Sequence, residues 1–333
     1  MRVLILGGTV FLGRHLVDAT LARGAVVTLF HRGHNACHRP DEVEQVLGDR
    51  RTDLALLAER EFDVVVDTSG YLPAEVRDSA TAVRAGHYTF VSSGSAYADA
   101  SRRPLTEDAG LHESPPPSEL RVDGEFYGPQ KAGCERALRE VRRDSSLILR
   151  AGLLVGPNDP TDRFTYWALR MREPGPALAP AVPDQPVQFL DARDLASWIL
   201  QAATDGVTGV MNVNGPRARW TFGALLAAIG DTEIHWVDEH LLLDAGVQPW
   251  TELPLWLPEQ FGATGLLDMA VDRAELCGLR ARPLADTVRD TVRWAADRSV
   301  GFAADYGTRA HSMVLSRARE ADLLARFDVA APR

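Results

Sequence analysis

Apolar and polar positions follow two alternating periods along the first half of the chain. Residues 3–6 (VLIL) form a short apolar run that stops at Gly7-Gly8, and residues 11–24 (FLGRHLVDATLARG) then carry apolar side chains at helical spacing. The pattern predicts a strand, a tight loop and a helix. Apolar runs of buried-strand type recur at 25–30 (AVVTLF), 62–70 (FDVVVDTSG), 87–93 (HYTFVSS) and 147–156 (LILRAGLLVG), with helix-like stretches between them. Near-continuous apolar strands alternating with helices predict an α/β fold, a doubly wound parallel sheet of Rossmann type with helices on both faces.

The regularity fades after Gly156. Residues 173–186 carry five prolines and predict irregular chain packed over a neighbouring surface. Beyond them, residues 187–203 read as a short strand followed by a helix, 210–215 as a further strand, and 310–327 as an amphipathic helix. The expected organisation is a nucleotide-binding domain over residues 1–157 and a smaller, mainly substrate-binding lobe over 158–333. A segment near 187–215 is expected to return to the first domain. All seven tryptophans lie at or after Trp167, which points first to a second core cluster and next to an aromatic-lined pocket.

Composition narrows the functional classes. With 333 residues, 45% of them apolar and 25% charged, the chain has ordinary globular make-up and enough length for a substantial core. A net charge of -10 argues against nucleic acid as the main partner, because phosphate-backbone binding draws on a surplus of Lys and Arg. Three widely spaced cysteines do not make a disulfide framework and fit a reducing compartment. The first apolar run is too short for a signal core or a membrane span, so a cytoplasmic location without a membrane partner is expected.

The segment Gly7-Gly8-Thr9-Val10-Phe11-Leu12-Gly13 lies between the first strand and the first helix, where a dinucleotide fingerprint belongs. Glycines let the main chain approach a pyrophosphate, and the helix start offers unpaired N–H groups and the positive end of the dipole. Gly7, Gly8, Thr9, Phe11, Leu12 and Gly13 are the expected contacts; Val10 stands where a further glycine is usual. The second strand ends at His31-Arg32, with Phe30 in the place of the acidic residue that would bind the ribose 2′-hydroxyl of NAD. Arg32 can pair with a 2′-phosphate instead, so NADP is the expected cofactor, with NAD kept open. Asp49 and Arg50 close the third strand, where Asp49 can accept from the adenine amino group. Thr68, Ser69 and Leu153 complete the expected cofactor face. His34, Cys37 and His38 bring metal-ligand types together without a second cluster, and no metal is expected.

Tyr127 and Lys131 are four residues apart, on one face of a helix, and Ser93 ends a strand that opens toward the cofactor cleft. These groups can move a proton to or from a substrate hydroxyl. Free tyrosine is a weak base at neutral pH, and a neighbouring ammonium lowers the phenol pKa toward working pH. Lys131 is the one lysine beside 35 arginines. Its retention suggests a task for a compact ammonium that a guanidinium cannot fill. Asp123 and Glu125 precede Tyr127 and read as capping or dipole partners, with acid/base work as the alternative.

These motifs together resemble the extended short-chain dehydrogenases/reductases of the NAD-dependent epimerase/dehydratase superfamily. The glycine loop, Asp49, residues 92–97 (SSGSAY), the Tyr127/Lys131 pair, 149–157 (LRAGLLVGP), 189–196 (FLDARDLA) and 271–294 match in order, so the resemblance spans most of the chain. It implies that Ser93, Tyr127 and Lys131 are catalytic, with Lys131 also anchoring the cofactor ribose, and that a homodimer forms through the helix carrying Tyr127. The loop is most similar to a divergent GGTxFxG branch that includes reductase-like proteins and an RNA-binding group. Leu153 replaces the Asn that contacts a substrate diphosphate in sugar-nucleotide epimerases, Val187-Gln188 replace an arginine, and residues 221–271 hold no Lys or Arg. A nucleotide-sugar substrate is therefore disfavoured. Gly94-Ser95 replace the Asp-Glu pair of the dehydratases. The expected activity is NADP-dependent interconversion of a secondary alcohol and a ketone on a small non-nucleotide molecule. The alternatives are an epimerase working through transient oxidation and a catalytically silent RNA-binding relative.

Overall fold

A computed structural model of the chain describes residues 1–297 and 314–328. The elements of the first half are β1 (Arg2–Leu6), α1 (Leu12–Ala22), β2 (Val26–His31), β3 (Glu44–Leu47), β4 (Glu61–Asp67), α2 (Pro73–Ala82), β5 (Arg84–Ser93), α3 (Tyr127–Arg142) and β6 (Ser146–Ala151). The second half adds β7 (Leu154–Val155), α4 (Arg163–Arg170), β8 (Ala177–Pro180), β9 (Pro186–Val187), β10 (Leu190–Asp191), α5 (Ala192–Thr204) and β11 (Gly209–Val213). It continues with β12 (Trp220–Thr221), α6 (Phe222–Ile229), β13 (Ile234–Val237), α7 (Glu239–Asp244), α8 (Asp272–Leu276), α9 (Leu284–Asp297) and α10 (Arg317–Asp328).

Seven strands pair in the order β11-β6-β5-β4-β1-β2-β3, and every pairing is parallel. This is the doubly wound α/β sheet that the apolar runs predict. Side chains pointing either way from the central strands are apolar because helices cover both faces. Leu16 and Val17 of α1 pack with Leu195 and Ile199 of α5 on one face, and Val76 of α2 with Leu138 of α3 on the other. Strand order reverses between β1 and β4, which opens a crevice at their carboxyl ends where ligands of such sheets bind.

The second lobe has its own core, built from Phe164, Trp167, Phe222, Leu226 and Trp256 among others. Most of the aromatic signal in the sequence is thus packing. Trp167 and Trp256 are fully buried, and Trp250 lines the cleft described below. The proline-rich stretch differs from its expected irregular form. Ala177–Pro180 pairs in parallel with Ile234–Val237, and Pro186–Val187 pairs antiparallel with Trp220–Thr221. Pro180 closes one strand and Pro186 opens the other, positions where a missing N–H interrupts no ladder.

Buried ion pairs join the parts. Asp191 caps α5 and takes hydrogen bonds from Arg193 and from the Thr287 hydroxyl of α9 (2.9 Å), while Asp194 takes the Arg282 guanidinium (2.7 Å). Arg170 and Glu320, 2% and 1% exposed at the side chain, hold α10 against α4 at 2.9 Å. The expected C-terminal helix thus forms as Arg317–Asp328, and residues 310–313 of that expectation lie outside the described residues. No helix among the described residues is long and apolar enough to cross a membrane.

Candidate active site

A cleft of about 1010 Å³ runs over the carboxyl ends of the strands, from the glycine loop to the second lobe. Its nucleotide half is built from main chain. Gly7 and Gly8 hold φ of 97° and 89°, and a Cβ at Gly7 would meet the Thr68 hydroxyl at 2.7 Å while one at Gly8 would meet Leu29 at 2.6 Å. A Cβ at Gly13 would lie 2.5 Å from the Gly8 Cα, so Gly13 lets α1 seat against the loop and stands behind the cleft wall. Val10 fills the place of the usual glycine. The next residue, Phe11, takes φ 38° as the N-cap of α1, and no side chain caps that helix. The uncapped first turn and the glycine cradle suit a pyrophosphate, because they offer N–H donors and room for close approach. The donor set therefore fits a dinucleotide.

Gly7, Gly8, Thr9, Phe11, Leu12, His31, Arg32, Asp49, Arg50, Thr68, Ser69 and Leu153 all line this cleft. Their freedom to bind differs. Arg32 is exposed and makes no hydrogen bond or ion pair among the described residues. The His31 ring is shared with Gln45 and the Gly33 N–H, and the Thr68 hydroxyl donates to the Leu6 carbonyl at 2.9 Å. Asp49 accepts the Arg51 N–H at 2.9 Å. Arg50 lines the cleft and is also committed within the protein. Its guanidinium grips Asp67 at 2.7 and 2.9 Å and also reaches the Ser79 hydroxyl at 2.8 Å. Burial works against the Arg50 charge, and the Asp67 carboxylate outweighs it, so the guanidinium is held charged as a brace beneath the cleft.

The chemistry end lies where β5 meets α3. Ser93 is the last residue of β5, and its Oγ accepts the Ser95 N–H at 3.1 Å. Tyr127 is the first residue of α3. A Cβ on Gly128 would collide with the Ser95 carbonyl, so this glycine lets α3 dock onto the strand end. Tyr127 and Ser93 both line the cleft there. Burial pushes the Tyr127 phenol above its ordinary pKa, and the Ser93 hydroxyl pulls the other way. This differs from the expectation that Lys131 would lower it. The Lys131 ammonium is 3% exposed and donates to the main-chain carbonyls of Val91 (2.7 Å) and Gly70 (3.1 Å), over the Phe90 ring at 4.4 Å. It lies behind the cleft wall, not on the lining. Burial lowers its own pKa. In this arrangement Lys131 ties the turn after β4 to β5.

A buried network beneath Ser93 gave no signal in the sequence. Glu135 of α3 takes a fork from Arg150 of β6 (2.8 and 3.1 Å) and the Ser92 hydroxyl (2.6 Å). Arg150 continues to the Tyr97 hydroxyl at 3.1 Å, and Tyr97 donates to Asn212 of β11 at 2.6 Å. The network fixes the strand end that carries Ser93 relative to α3. Asp123 and Glu125 sit exposed outside the cleft lining. His38 pairs with Asp18 at 3.0 Å, and no group of three or more His, Cys, Asp or Glu among the described residues is arranged to hold a metal ion.

The end of the cleft beyond Tyr127 also escaped the sequence reading. After β7 the chain turns through Asn158 (φ 68°) and Asp162 (φ 56°), setting Asp159 between them. Asp159 is 1% exposed, with Oδ1 accepting the Thr161 N–H and hydroxyl, each at 2.8 Å, and Oδ2 buried without a partner. Burial pushes its carboxyl up to about 6. Arg163 donates to the Trp250 carbonyl at 3.2 Å and lies 5.1 Å from the Trp250 ring centroid. The available signal was the turn-rich GPNDP that follows a strand end, the usual ligand side of such sheets.

The model of the NAD dependent epimerase/dehydratase family matches residues 3–214, which is more than half of the chain. The chain belongs to this family. Several solved structures share the fold. UDP-glucuronic acid 4-epimerase from Bacillus cereus in complex with NAD is 16% identical, with a TM-score of 0.62 over 89% of this chain and 99% of that one. The Bordetella bronchiseptica enzyme WbmH in complex with NAD+ is 15% identical, with a TM-score of 0.63 over 90% and 99%. UDP-N-acetylglucosamine 4-epimerase from Bacillus cereus is 18% identical, with a TM-score of 0.59 over 90% and 98%. At these identities the likeness is one of fold. No curated protein matches the chain. As an epimerase/dehydratase family member, the protein is an enzyme of the short-chain dehydrogenase/reductase type that uses a nicotinamide dinucleotide.

Proposed function

We propose that the protein epimerises a hydroxyl-bearing carbon of a small non-nucleotide molecule, with Tyr127 moving the hydroxyl proton and Ser93 holding the substrate oxygen. The shared placement of Tyr127 and Ser93 on the lining of the cleft that the glycine loop opens supports this reading. Bound in that cradle, a nicotinamide supplies reversible hydride acceptance. Gly7, Gly8 and the first turn of α1 would hold its pyrophosphate, and Arg32, exposed at the end of β2, favours the 2′-phosphate of NADP over NAD. Family membership and the likeness to the NAD-bound UDP-glucuronic acid 4-epimerase support the epimerase reading. Leu153, 8% exposed in the cleft wall, offers no donor to a diphosphate, which supports a non-nucleotide substrate.

A proton must leave the hydroxyl on oxidation and return on reduction. Tyr127 is the group placed for both. Lys131 acts at one remove, by fixing the Gly70 and Val91 carbonyls on either side of the site. Net reduction of a ketone is the second reading, and the raised Tyr127 pKa favours it, because a neutral phenol is ready to donate. Incubating the full chain with a panel of secondary carbinols and ketones at stoichiometric cofactor separates the two. Epimerisation leaves the cofactor absorbance unchanged while a stereoisomer appears; reduction consumes NADPH. Tyr127→Phe should lower either turnover by about 10²–10⁴-fold, the range for a lost general acid/base, with cofactor affinity retained. Undiminished turnover in that variant would remove Tyr127 from the mechanism.

A further inference from the structure

We propose that Asp159 and Arg163 form the substrate-selecting pair, binding a neutral polyhydroxylated small molecule through one hydroxyl that donates to Asp159 and one oxygen that accepts from Arg163. The inference rests on the carbinol-epimerase reading of the cleft and names the substrate class of that site. Both residues line the cleft beyond Tyr127, on the loop and helix that follow β7.

Asp159 is built to need a donor. Oδ1 is saturated by the Thr161 N–H and hydroxyl, whereas Oδ2 is buried with no partner among the described residues. A carboxylate oxygen withdrawn from water without a donor is unfavourable, and such a group persists where a ligand completes it. The backbone is bent to keep it there. Asn158 and Asp162 flank it in left-handed conformations at φ 68° and 56°, and Trp250, which supports Arg163, adopts φ 64°. Non-glycine residues rarely hold such angles, and they concentrate at ligand sites.

Arg163 is the complementary half. Its Nε is committed to the Trp250 carbonyl at 3.2 Å, which leaves the terminal guanidinium nitrogens without hydrogen-bond partners among the described residues. A carboxylate and a guanidinium four residues apart cancel in net charge. An anionic substrate would lose near Asp159 what it gains at Arg163, and a cationic one the reverse. A neutral molecule carrying both donors and acceptors satisfies both residues, and Leu120, Val122, Trp250 and Leu266 line the cleft as apolar cover for its carbon faces.

The test titrates myo-inositol and glucose as neutral probes, and glucuronate and glucosamine as charged ones, into the full chain with NAD+ present. The wild type should bind a neutral probe at least about tenfold more tightly than either charged one, and Asp159→Asn and Asp159→Leu should each weaken the neutral probe by about tenfold or more. Asp159→Asn keeps the shape of the side chain should the leucine variant fail to fold. The pairing is overturned if no neutral probe binds, if a charged probe binds best, or if Asp159→Asn binds the neutral probe as the wild type does. NAD+ binding is titrated separately in the same variants and should not change. Its absence in the wild type would overturn the dinucleotide reading, whereas a neutral-probe signal indifferent to Asp159 overturns the pairing alone.

Discussion

At the glycine-loop end of the cleft the wall is main chain, two glycines at positive φ and an uncapped helix start, whereas at the far end it is side chain, with Asp159 and Arg163 from one turn of sequence joined by the distant Trp250. On the proposed reading the first end would hold what all dinucleotides share, a pyrophosphate, which calls for backbone donors at close range. The second would tell one small molecule from another, which calls for particular functional groups. Strain follows the same division. Phe11 bends next to Val10, where the glycine loop departs from the usual spacing, while Asn158, Asp162 and Trp250 bend around the far wall of the cleft.

Gly13→Ala should give the largest break in this contrast. Its Cβ would fall 2.5 Å from the Gly8 Cα, so the loop must move away from the start of α1. Dinucleotide affinity should drop by about 100-fold, equivalent to roughly 2.7 kcal/mol, by titration calorimetry, with neutral-probe binding in the other half retained. Equal loss in both halves would show that the two walls are not independent.

Lys131→Met tests whether the lone lysine is a brace. The methionine approximates the lysine stem but leaves the Gly70 and Val91 carbonyls without their donor. Chemical denaturation should show a loss of about 1–3 kcal/mol, the cost of buried polar groups left unpaired. Stability equal to wild type, with activity lost, would instead return Lys131 to the direct role that the resemblance implies.

The third effect has the opposite sign. Burial raises the Asp159 carboxyl from 3.8 to about 6, so between those values the folded chain binds more protons than the unfolded one. Stability therefore falls as pH rises through that window, and above it the ionised carboxylate costs about 3 kcal/mol. Asp159→Asn should raise unfolding stability near neutral pH by roughly 1–3 kcal/mol and flatten the slope across the window, even as it weakens substrate binding. A destabilised Asn variant would mean that the carboxylate serves the fold and not a ligand.

What could be read from the residues follows the same division. The run ending at Gly7, the spacing to Gly13 and the apolar strands report backbone requirements, and those are local in sequence. That Tyr127 and Ser93 would face one cleft was also legible, because one stands at the start of a helix and the other at the end of a strand. The ion pair of Arg50 with Asp67 could not be read from spacing, because it forms only where the turn after β3 meets the end of β4. Lys131 was recognised by its rarity, but the carbonyls it holds belong to Gly70 and Val91, which no spacing connects to it. Arg163 and Trp250 are brought together by the packing of the second lobe. The tryptophans announced that core without saying which one would face the cleft.

The smallest effect concerns Arg32. Arg32→Ala should weaken NADP+ by about tenfold, roughly 1.4 kcal/mol, and leave NAD+ unchanged, as expected for an exposed charge that meets only the 2′-phosphate. Equal weakening of both would place Arg32 elsewhere on the dinucleotide.

Titration of NADP+ and NAD+ into the wild-type chain tests the central claim most directly. Saturable one-to-one binding of both, with NADP+ about tenfold tighter, is the predicted result. No saturable binding of either dinucleotide by the folded protein would contradict the account.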